Sequence, residues 1–183
     1  MKGKPIEELA VWRGPLTLER FILKILPIVV MLLLVASVTM RYLLKMDLYG
    51  IEEIMAIVAM WMYMMGAAYG SYEGSHIRAD IIDTFLKNEK IKVSVKLLEN
   101  AIVLAVLFPF SWWGLQYAAW NIDAGNRTAY WKFPTLLSQL PITIGIILML
   151  IYSLYHTWRT LRHMRAVFRG GRPPEKDGDP TWN

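Results

Sequence analysis

The sequence of 183 residues contains no cysteine, so structural disulfides, thiolate metal sites, iron–sulfur clusters and cysteine nucleophiles are all excluded. Histidine is scarce: the three present, His76, His156 and His163, form neither a Ser/His/Asp set nor a metal-type spacing. No residue set supports catalysis, and no cofactor or metal site is expected. Charge is sparse too, at 19% of residues against 55% hydrophobic, which is unusually apolar for a water-soluble domain of this length. The net charge of +5 does not describe a nucleic-acid surface, because Lys and Arg sit in short clusters between long apolar runs. Neither an internal repeat nor a linker interrupts the body of the chain.

What the chain does have is length in its apolar runs. Crossing about 30 Å of hydrocarbon at about 1.5 Å per residue takes roughly 20 helical residues. Four segments qualify, at about residues 21–44, 51–72, 97–120 and 136–158. The expected fold is therefore an all-α integral membrane protein of four transmembrane helices, since a helix satisfies its own backbone in lipid. Pro27, Pro109 and Pro141 fall inside or at the ends of these spans, where a kink is tolerated. "VAS" at Val35 to Ser37 loosely imitates a signal-peptide cleavage site. The lead-in, however, carries Glu7, Glu8 and Glu19, and the apolar run continues past it, so the first span is expected to remain.

Lys and Arg give the direction, because positive flanks stay on the cytoplasmic side. The N-terminal flank holds Lys2, Lys4, Arg13 and Arg20, with Lys24 in the first turn of the span. Lys87, Lys90, Lys92 and Lys96 follow the second together with Arg78, and Arg159, Arg162, Arg165 and Arg169 open the tail. The other two connections hold only Arg41 with Lys45 and Arg127 with Lys132. Segment 1–20, the loop after span two and the basic tail 159–183 are thus expected in the cytoplasm, with Gly170 to Asn183 too polar and Pro/Gly-rich to fold. Over about residues 77–88, Ile77, Ile81, Ile82, Phe85 and Leu86 share one helical face. This pattern suits an amphipathic helix lying flat at the inner interface, or a plain connection.

Within span two, Gly66, Gly70 and Gly74 recur every fourth residue and drift only about 40° per step, with Ala67 and Ser71 beside them. Such a smooth face lets another backbone approach closely, either a partner helix or a neighbour among the four. A phosphate loop is excluded, because no strand precedes these glycines and no Gly-Lys-Ser/Thr ending follows. Arg41, Glu52 and Glu53 lie at similar depth near the outer face. They either pair across the first hairpin or reach to the headgroups. The deep middles of the spans hold no ionisable residue, which argues against a self-contained pump. His76 and His156 both approach the cytoplasmic face, so a haem-carrying or docking anchor for a respiratory oxidoreductase is the alternative reading.

Several pieces, taken in order, resemble one family: Arg41-Tyr42, then Glu52-Glu53-Ile54, Trp61, Gly66-Ala67-Ala68, His76-Ile77 followed by Asp80 (an interfacial motif with Arg78 between them), and "FPTLLSQLPITIG" from Phe133 to Gly145. The family is the small, DctQ-like membrane subunit of tripartite ATP-independent periplasmic (TRAP) transporters, and the resemblance covers nearly all of the four-helix body. One departure is the absence of a tryptophan common just before the glutamates, where Gly50 stands beside Tyr49. The resemblance implies a non-catalytic subunit of the prokaryotic inner membrane. It implies a large DctM-like permease subunit, which holds the substrate and sodium sites, and a periplasmic substrate-binding protein as partners. Small organic acids are the solutes it implies.

Overall fold

The computed structural model describes residues 10–46, 49–73 and 89–168. Within them lie four helices: α1 (Ala10–Tyr42), α2 (Ile51–Glu73), α3 (Glu89–Ala124) and α4 (Leu136–Phe168). All four are long and apolar enough to cross a membrane. Spans two and four begin where hydropathy places them. By contrast, α1, α3 and α4 run past their apolar runs into charged sequence, and α1 does so with Gly14 and Pro15 inside it. The amphipathic helix expected over 77–88 lies outside the described residues.

The main helix pairs are α1 with α2, α2 with α4 and α4 with α3. The chain thus forms a row in the order α1, α2, α4, α3, with α1 and α3 at the edges. Its interior inverts the water-soluble pattern. Buried hydrophobic side chains among the described residues are Leu16, Met65, Ala68, Val93 and Tyr152, whereas Ser71, Ser111, Asn121, Thr143, Ser153 and Thr160 are buried polar ones. The large apolar side chains face outward, as Phe108 (71% exposed) and Met31 (68%) do. Lipid removes the hydrophobic drive between helices, so small residues and hydrogen bonds hold the seams. At the α3–α4 seam, Thr143 Oγ1 donates to the Gly114 carbonyl at 3.0 Å and Asn100 Nδ2 donates to Thr160 Oγ1 at 3.1 Å. Between α2 and α4, an added Cβ on buried Gly145 would stand 3.0 Å from the Met64 carbonyl oxygen, so glycine here lets the two backbones pack closely.

Pro141 is fully buried inside α4. Having no N–H, it cannot donate to the carbonyl four residues back. That carbonyl, on Leu137, accepts instead from Trp61 Nε1 of α2 at 3.1 Å. The backbone group left over by one helix is satisfied by a side chain of its neighbour.

Candidate interaction site

The α1–α2 and α3–α4 connections form a clip rather than open loops. α3 ends at Gly125, whose φ of 59° is the left-handed stop that glycine adopts readily. Thr128 N–H then donates to the Phe133 carbonyl and Thr135 N–H to the Asn126 carbonyl, closing a small hairpin around Lys132, itself at φ 56°. The amides of Tyr130 and Trp131 at its tip point at Glu53, donating to Oε1 at 2.6 Å and Oε2 at 3.0 Å. Both oxygens of this first-turn carboxylate are therefore held by backbone N–H groups of the loop between α3 and α4. Arg41 and Glu52 are exposed at the same end. Trp131 Nε1 completes the clip on the Gly50 carbonyl at 3.1 Å. A side chain at position 50 would collide with Tyr130 and Trp131, which gives a physical reason for glycine, with φ at 83°, before the glutamates.

The small-residue stripe of α2 divides. Ser71 turns into the protein with Met65 and Ala68, while Gly66 and Gly70 are half-buried and Ala67 is exposed. Gly66 faces α1, where its missing Cβ would lie 3.5 Å from Leu23 Cδ2. The outward face of α2 follows Ala56, Tyr63 and Ala67. Gly74, His76, Arg78 and Asp80 lie outside the described residues.

Toward the other end, Tyr152 O–H donates to Glu19 Oε1 at 3.1 Å, and both residues are almost completely buried. Glu19 joins the core through its spacing from Leu16 and Leu23, one helical turn on either side. Sequence reading treated it as part of a charged lead-in, although that i−3 and i+4 placement was the available signal. His156 Nε2 lies 3.0 Å from the Tyr72 carbonyl, which can only accept, so the ring is a donor bracing α4 against the end of α2.

The family model for tripartite ATP-independent periplasmic transporters, DctQ component, matches residues 30–163, well over half of the chain. The chain belongs to the DctQ family. It is accordingly a TRAP transporter small subunit and not an enzyme. The match runs from the middle of α1 nearly to the end of α4, so it takes in the clip, the Trp61–Leu137 brace and the small-residue face of this DctQ component. The family lends no support to the oxidoreductase-anchor alternative. No curated protein matches the chain.

Proposed function

We propose that this DctQ component is the static membrane wall of a secondary transporter importing an organic acid, with a large DctM-like permease subunit and a periplasmic substrate-binding protein as its partners. Substrate selection and sodium coupling reside in the other chains. One observation carries this reading: Glu19 is the only charged residue among the buried side chains described, so no series of buried charged groups runs through the described helices. A rigid row of helices suits a wall against which a carrier domain moves. The Lys/Arg distribution supports placing both termini inside, in the prokaryotic inner membrane, and the outer clip on the periplasmic side. Exposed Ala67, with half-buried Gly70, offers close backbone approach on the α1–α2 side, where the permease docks, while Gly66 lets α1 pack closely and Ser71 backs that face from within. Arg41, with Glu52 and Glu53, marks the outer anchor; His76, Arg78 and Asp80 belong to the inner connection.

The test is mild solubilisation of a tagged chain expressed with its chromosomal neighbours, followed by reconstitution with and without them. A large permease should co-purify, and solute uptake should require both chains and the binding protein. Uptake by this chain alone in vesicles under an imposed gradient would overturn the reading.

A further inference from the structure

The last turns of α4 present an outward stripe that the transporter reading leaves unused. Leu154, Trp158, Arg162 and Arg165 follow one another at helical spacing, and all four are exposed. Along the helix their order is aliphatic, aromatic, cation, cation, which is the order in which a bilayer passes from hydrocarbon through its interface to the headgroups. The Arg162 guanidinium lies 4.9 Å from the centroid of the Trp158 ring, so it is braced over an aromatic face rather than left to sweep through solvent. No Asp or Glu occurs anywhere in α4, so no carboxylate of the same helix neutralises the pair.

We propose that this stripe binds an anionic phospholipid of the bilayer. Arg162 and Arg165 hold the headgroup phosphate, the Trp158 ring lies at the glycerol level, and Leu154 meets the acyl chain. A guanidinium offers a planar set of donors to two phosphate oxygens at once, and fixing it on an indole lowers the freedom lost when it does so. The two guanidiniums favour a headgroup with net negative charge over a zwitterion, because the choline of a zwitterionic lipid cancels the attraction. The site is independent of which solute the transporter carries and of which face meets the permease.

Native mass spectrometry of the full chain, released from micelles holding equal phosphatidylglycerol and phosphatidylcholine, tests this. Wild type should retain phosphatidylglycerol preferentially. Arg162→Gln and Arg165→Gln should each weaken that retention about five-fold. The pair Arg127→Gln with Lys132→Gln, at the opposite end of the protein, should leave it unchanged. Equal retention of the two lipids by wild type would overturn the proposal whatever the variants do. It would also be overturned if both pairs reduced retention alike, or if inorganic phosphate at equal concentration displaced the lipid, which would make free phosphate the ligand.

Discussion

Gly50 holds α2, Tyr130 and Trp131 together at a place where a side chain would have no room. Its φ of 83° is a conformation that residues with a Cβ rarely adopt, and that Cβ would strike both rings. Gly50→Ala therefore combines backbone strain of about 1–3 kcal/mol with expulsion of the Trp131 indole from the Gly50 carbonyl. Thermal unfolding in detergent should show a lower Tm, and protease should cut the hairpin around Lys132 sooner. An unchanged Tm would mean that the clip is not under this constraint. The residues of the clip were partly legible in the sequence: Glu53 stood out by charge and Gly50 by its departure from the family pattern. Their partners did not. Glu53 is held by main-chain amides 77 and 78 residues away, and a backbone N–H has no side-chain signature to read, so charge alone suggested pairing with Arg41.

At the level of whole helices, hydropathy was sufficient where the helix and the hydrocarbon span coincide. The expected 51–72 became Ile51–Glu73, and α4 opens at Leu136 as read. It fell short for α3, which opens at Glu89 rather than about 97, because the helix continues where lipid does not and Lys and Glu are good helix formers. The seams were less legible still, since they depend on backbone groups set free by proline. Trp61→Phe removes the donor to the Leu137 carbonyl while keeping an aromatic ring, and should cost about 0.6–1.7 kcal/mol, the range for a side-chain hydrogen bond within a membrane protein. Replacing Pro141 by Ala gives that carbonyl a donor within α4 itself. Trp61→Phe should then cost clearly less in the Pro141→Ala background than in wild type. Equal costs in the two backgrounds, measured by unfolding in detergent, would show that the Trp61 hydrogen bond does not compensate for the proline.

For the molecule as a whole, the row α1–α2–α4–α3 leaves two unlike flanks. On the α3 side, Phe108, Trp112 and Trp113 are bulky and at least 60% exposed, so a neighbouring backbone is kept at the distance of an aromatic ring. On the α1–α2 side, α1 also exposes bulky residues such as Phe21 and Met31, but on α2 Ala67 is exposed and Gly70 is half-buried, and at that point a second helix can come closer. Close approach is what replaces the hydrophobic drive in lipid, so the proposed docking of the permease on the α1–α2 side assigns the protein contact to the small residues of α2 and leaves the aromatic flank to the acyl chains. The lack of native cysteine makes the distinction directly measurable, because any introduced thiol is the only one in the chain. Ala67→Cys carrying a short photo-crosslinker should join this subunit to the permease. Phe108→Cys treated in the same way should yield lipid adducts and little protein product. The reverse pattern would transfer the docking face to α3 and leave the glycines of α2 with internal packing as their sole use.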